Sequence, residues 1–163
     1  MTARKKPNAT KDPLEGECME FHNRASLHIS EYGVGATFLN PRREKLRKIK
    51  YDGCFNKDSG SRQADYIVGL TGLVDVITEL KGSDISHAIS QVEATLRTWR
   101  NGQDRFPRIV CLIVFGHTIP RMSSRIGTIE RDFLLEHKTL LWIRETGSEK
   151  FNFRKLIGKS DAR

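Results

Sequence analysis

The chain has 163 residues, and 28 Lys and Arg against 20 Asp and Glu leave a formal net charge of +8. That length suits one ordinary domain with a real core, and no apolar run approaches the roughly 20 residues of a membrane-spanning helix. The basic balance points to a polyanionic partner, nucleic acid foremost, although charge alone fits a basic but unspecialised protein equally well. Arg4, Lys5 and Lys6 have no apolar core behind them, so no secretory signal is read there and the cytoplasm is the expected compartment. Three cysteines are an awkward number for a secreted disulfide scaffold, and Cys18, Cys54 and Cys111 lie too far apart for a zinc knuckle. Structural roles are expected for all three, with Cys111 as a buried filler.

In chain order, residues 1–13 are polar, basic and carry two prolines, which predicts a flexible basic arm ahead of a single domain over 14–163. Leu14, Cys18, Phe21, Ala25 and Leu27 fall near helical spacing, so 14–31 is expected to be a first helix, ended by Gly33 and Gly35. After the Asn40-Pro41 turn, residues 42–51 hold six basic residues in ten and read as a half-exposed strand. A loop over 56–62 precedes strands at 64–70 and 73–81, joined at Thr71-Gly72 as an antiparallel hairpin. Asp84 can cap a helix running to Arg100, with Ile85, Ala88, Ile89, Val92, Leu96 and Trp99 on one stripe. A buried strand at 108–115, a core helix at 126–137, a strand at 140–145 and an edge strand at 151–157 complete the chain. The expected class is α/β, a central mixed sheet flanked by helices.

The hairpin carries the chemistry. Strand alternation sends Glu79 and Lys81 to one side and Leu80 into the core, and Asp65 on the partner strand reaches the same patch. Two carboxylates with water suit Mg2+, with Mn2+ expected to substitute. Such an ion activates water and offsets charge on a phosphate, while Lys81 can orient the nucleophile or stabilise the pentacovalent state. The plainer reading is an exposed cross-strand charge set worth tenths of a kcal/mol.

Asp65, then Glu79-x-Lys81, then a helix with Gln91 resemble the PD-(D/E)xK nuclease superfamily, which includes restriction endonucleases and archaeal Holliday junction resolvases. The likeness spans 51–95, and Ala64-Asp65 stands where the family often has Pro-Asp. The resemblance implies a restriction endonuclease-like core, with Asp65 and Glu79 binding metal and the Leu80 carbonyl adding a ligand. It further implies that Lys81 is catalytic and that Gln91 supports the site from the helix. The implied activity is Mg2+-dependent hydrolysis of nucleic acid, DNA ahead of RNA and endonuclease ahead of exonuclease. Small members often act as homodimers, because one site cuts one strand.

Around this set, Asp52 is either an accessory acid or a turn residue beside Gly53. Asp75 shares the Glu79 face and is expected to meet solvent, about 13 Å along the strand. Gln91 belongs either to the site or to the solvent face. Arg42, Arg43, Lys45, Arg47, Lys48 and Lys50 form the expected track for backbone phosphates. Two rival readings are a catalytically inactive nucleic-acid-binding module with the same fold and a protein-interaction module with a basic face.

Overall fold

The computed structural model describes residues 16–57, 60, 62–116, 124–147 and 150–158. The expected arm at 1–13 lies outside them. Among the described residues, nine strands form two sheets: β1 (Met19–His22), β2 (Ser26–Glu31), β3 (Val34–Leu39), β4 (Leu46–Lys50), β5 (Tyr66–Leu70), β6 (Val74–Lys81), β7 (Arg108–Phe115), β8 (Leu141–Glu145) and β9 (Phe151–Asn152). The helices among the described residues are α1 (Ile85–Arg100), α2 (Ile126–His137) and α3 (Phe153–Leu156). The main sheet has the order β1-β4-β5-β6-β7-β8, and β2-β3-β9 form the smaller one. From β1 to β6 the neighbours run antiparallel, and β6, β7 and β8 run parallel, so the central sheet is mixed as expected. No described helix is long and apolar enough to cross a membrane.

The six-stranded sheet is covered on both faces. On one, Val68, Val76, Leu80 and Leu112 pack with Leu27, Ala36, Phe38 and Phe153 of the smaller sheet and α3. On the other, Ile67, Ile77, Cys111 and Ile113 meet Ala88, Val92, Leu96 and Trp99 of α1. The α1 stripe is thus its buried face, and Asp84 caps it by accepting from the His87 N–H at 2.9 Å.

Several expectations are corrected. The described residues 16–31 contain no helix and form β1 and β2 instead; 14 and 15 lie outside the described residues. In β2, Leu27 and Ile29 are buried while Ser26, His28 and Ser30 are exposed, a period of two that overrides the helical spacing. Gly33 sits in the two-residue loop of the β2–β3 hairpin rather than at a helix end, and Val34, Ala36 and Phe38 bury one face of the unanticipated β3. β4 covers only 46–50 of the expected 42–51 and is an internal strand between β1 and β5. Arg47, Ile49 and Tyr51 are buried while Lys48 is half-buried and Lys50 exposed, so the half-exposed alternation holds, with Leu46 buried as well. α2 is peripheral rather than a core helix, since only Phe133 is buried and Leu134 and Leu135 are exposed. At 151–157 only two residues pair, parallel to β3, before Asn152 caps the short α3.

Asp75 is also corrected. β6 is central and buried over seven of its eight residues, so no face of it meets solvent there. The Asp75 carboxylate accepts from Arg47 Nη2 at 2.8 and 3.0 Å, Trp99 Nε1 at 3.0 Å and the Phe106 N–H at 2.7 Å. Gly69 lies opposite, where an added Cβ would come within 2.6 Å of Asp75 Oδ1. Cys18 and Cys54 form a disulfide, joining the entry of β1 to the turn after β4, a pairing the sequence reading did not make. Cys111 is the buried filler expected, and burial pushes its thiol up.

Candidate active site

β5 and β6 pair with Tyr66 opposite Thr78, which brings Asp65, just before β5, opposite Glu79. The Asp65 N–H donates to Glu79 Oε2 at 3.1 Å, and the Leu80 N–H donates to Asp65 Oδ2 at 2.8 Å. Lys81 Nζ lies 3.9 Å from Glu79 Oε1, while the Leu80 side chain is buried in the core on the opposite face. The alternation expected of this strand therefore holds.

Gln91 joins the same cluster instead of the solvent face. Lys81 Nζ donates to Gln91 Oε1 at 3.0 Å, and Gln91 Nε2 donates to the Gln63 carbonyl at 3.0 Å. The second bond fixes which end of the amide faces the lysine. Thr95, one turn further along α1, accepts from the Ala64 N–H at 2.8 Å. α1 therefore clamps the chain just ahead of Asp65 while its first turns hold Lys81.

The electrostatics are those of two acids with too little compensation. Glu79 is 2% exposed, and its carboxyl is pushed up to about 9, first by burial and then by the charge of Asp65, with Lys81 opposing. Asp65 is also raised, mainly by burial, against the opposing Leu80 hydrogen bond. Glu31 and Asp52 add to its rise, so Asp52 is close enough to act on the site as well as sitting in its turn.

Sequence reasoning missed Glu31. It ends β2, and its Oε1 accepts from the Tyr66 hydroxyl at 3.0 Å, next to Asp65 in the chain. Burial and this contact push the Tyr66 hydroxyl up to about 12. No spacing rule links residues 31 and 66, because the contact crosses from one sheet to the other.

Among the expected phosphate-binding residues, Arg42, Arg43, Lys45 and Lys50 are exposed and Lys48 is half-buried. Arg43 and Lys48 line an open groove with His22, Arg24 and His28, and Lys48 and Lys50 flank Tyr66. Arg47 does not belong to this surface. Its guanidinium is 3% exposed, paired with Asp75, bonded to the Asp104 carbonyl at 2.7 Å and stacked 3.8 Å over the Phe106 ring.

The donor set suits a small hard cation: carboxylate oxygens from Asp65 and Glu79, a surplus of acid over the single Lys81, and burial that penalises the uncompensated charge. A separate group, Glu93, Glu136 and His137, brings ligand atoms within 4.8 Å of one another, and there His137 Nε2 and Glu93 Oε1 already bond at 3.1 Å. Searches against protein-family models, curated proteins and solved structures found no match for this chain.

Proposed function

We propose that the chain is a Mg2+-dependent nuclease with a restriction endonuclease-like core, acting on nucleic acid with DNA favoured. The observation that carries this reading is the convergence of Asp65, Glu79, Lys81 and Gln91 at the carboxyl end of β6. The mixed sheet, the β5–β6 hairpin followed by α1, and the charge of +8 support it.

Asp65 and Glu79 would hold the ion, with the Leu80 carbonyl as the third ligand the family resemblance implies. The ion would supply an activated water and offset charge on the phosphate. Hydrolysis forms a bond from water oxygen to phosphorus and breaks the bond to the leaving oxygen, which ends protonated. Lys81 places its ammonium where phosphate charge grows, and Gln91 holds it there through the 3.0 Å bond. Exposed Arg42, Arg43 and Lys45, with Lys48 and Lys50, would carry the flanking phosphates.

The test is incubation with supercoiled, linear and single-stranded DNA and with RNA, in Mg2+, Mn2+ or EDTA. Cleavage should need the divalent ion and vanish in Asp65→Asn and Glu79→Gln. Parental cleavage in both variants would remove the assignment. A binding module without hydrolysis is favoured by one observation: Asp65 Oδ2 and Glu79 Oε2 both accept main-chain N–H groups, as structural carboxylates do. Tight binding with no cleavage under any ion would select that reading.

A further inference from the structure

We infer that Tyr32, at the tip of the β2–β3 hairpin, is a base-stacking residue that holds an unpaired nucleobase beside the candidate active site. This rests on the nucleic-acid side of the proposed function and names the form of substrate that the site receives.

Glu31 pairs with Val34, so Tyr32 and Gly33 alone form the hairpin loop. Their φ angles are 47° and 80°. Two positive values in a two-residue loop are the type I′ pattern, which Asn-Gly or Gly-Gly fills most easily. A tyrosine there takes a backbone conformation that its Cβ disfavours. Burial gives nothing in return, because the residue is fully exposed. A local rule broken without a packing gain points to a function for the side chain.

The loop is anchored on both sides. Glu31 accepts from the Tyr66 hydroxyl at 3.0 Å, and Tyr66 follows Asp65. Val34 is buried against the chain beyond β7: a Cβ on Gly116 would lie 2.8 Å from Val34 Cγ2, and the Gly116 N–H donates to the Lys81 carbonyl at 2.9 Å. The ring is therefore presented from a fixed base at the end of the sheet that carries Asp65, Glu79 and Lys81.

The partner chemistry follows from the surroundings. Its chain neighbours Glu31 and Gly33 add no apolar surface to the ring, and the other exposed large apolar side chains among the described residues are Phe55, Leu134 and Leu135, on other elements. Stacking on a base needs only one exposed ring and tolerates any sequence. Beside Tyr66, Lys50 supplies a cation for the adjoining backbone, and Lys48, 3.9 Å from Glu20, supplies a second that is partly offset. Bases in an intact duplex already stack on each other, so the base received is an unpaired one.

The experiment measures binding of a labelled single-stranded oligonucleotide in EDTA by Tyr32→Asn and Tyr32→Trp. Asparagine keeps the turn and removes the ring. It should weaken binding about 5- to 100-fold, the range for loss of one stacked base, with the salt slope unchanged because no phosphate contact is lost. The tryptophan variant should bind as the parent does, with its added emission quenched by the oligonucleotide. Parental affinity in Tyr32→Asn overturns the inference, even in a protein that cuts DNA. Binding that depends on Tyr32 without any cleavage sustains it while removing the hydrolytic reading. A protein that binds no nucleic acid at all overturns both.

Discussion

Replacing Glu79 by Gln should make the metal-free protein more stable at neutral pH and abolish its response to Mg2+. The Glu79 carboxyl has an ordinary value of 4.5 in the unfolded chain and is pushed up to about 9 in the fold. Its contribution to stability is complete below pH 4.5 and is lost as the pH rises towards 9, because folding in that window takes up a proton. Each pH unit there costs about 1.4 kcal/mol, so the loss at pH 7 is about 3 kcal/mol. Glutamine has the same shape, takes up no proton, and its carbonyl oxygen can accept the Asp65 N–H that Glu79 now accepts. The variant should therefore gain about 3 kcal/mol at pH 7, a rise in Tm of roughly 6–12 °C for a chain of this size. Urea or thermal unfolding in EDTA, at several pH values from acid to mildly alkaline, reads the effect as a gap between the two proteins that widens with pH. Added Mg2+ should then stabilise the parent and leave Glu79→Gln unmoved. Identical pH slopes in the two proteins would refute the electrostatic argument, and identical Mg2+ stabilisation would remove Glu79 as a ligand.

Lys81→Ala should cut turnover sharply with little change in nucleic-acid affinity, since in the proposed reaction its charge would act on the transition state. Gln91→Ala, which releases Lys81 Nζ from its 3.0 Å bond and frees the Gln63 carbonyl, should lower single-turnover rates about 10- to 100-fold, with a stability loss of about 1 kcal/mol per lost hydrogen bond. Neutralising Arg42, Arg43 and Lys45 together should weaken binding on all sequences and reduce the salt slope by about one per lost phosphate contact, measured by titration at several salt concentrations. Asp75→Asn should cost about 3–5 kcal/mol in denaturant unfolding, because it leaves the Arg47 guanidinium buried without its counter-charge. Reducing the Cys18–Cys54 bond, which spans 36 residues, should lower stability by about 4 kcal/mol on the chain-entropy account, read as a shift of the urea midpoint with a thiol reductant.

The parts of the fold that were legible are those where pattern and local chemistry agree. The Thr71-Gly72 turn between alternating runs made the β5–β6 hairpin visible, and that hairpin is enough to set Asp65 against Glu79 and Lys81. The stripe from Ile85 to Trp99 placed α1 close behind Lys81, which left Gln91 either on the site edge or in solvent; the Gln63 carbonyl decides between them. What was not legible depends on contacts distant in the chain. Residues 14–31 match helical spacing by coincidence at five positions, and the hairpin that replaces the helix turns at Tyr32, a residue no turn rule selects. Arg47 and Asp75 are 28 residues apart, and nothing in a run of six basic residues distinguishes the one that goes inside. Glu31 reaches the site only because the smaller sheet lies over the larger.

The buried Arg47–Asp75 pair bears on how the site is spelled out, beyond its worth to stability. β6 alternates Val74, Val76, Thr78 and Leu80 against Asp75, Ile77, Glu79 and Lys81, and all but Lys81 are buried. Both faces are covered by core, so burial alone does not mark them; what separates them is that one carries Val74, Val76 and Leu80 and the other Asp75, Glu79 and Lys81. A slip of one residue would exchange them and point Glu79 and Lys81 away from α1. Asp75 reads the frame correctly, because only one face offers Arg47, the Trp99 indole and the Phe106 N–H, with Gly69 leaving room opposite. In the slipped frame that carboxylate would enter the apolar layer of Val68, Val110 and Leu112, with the arginine stranded behind it. The orientation of Glu79 and Lys81 is thus checked by a residue about 13 Å upstream of Glu79 along the strand, outside the candidate site itself.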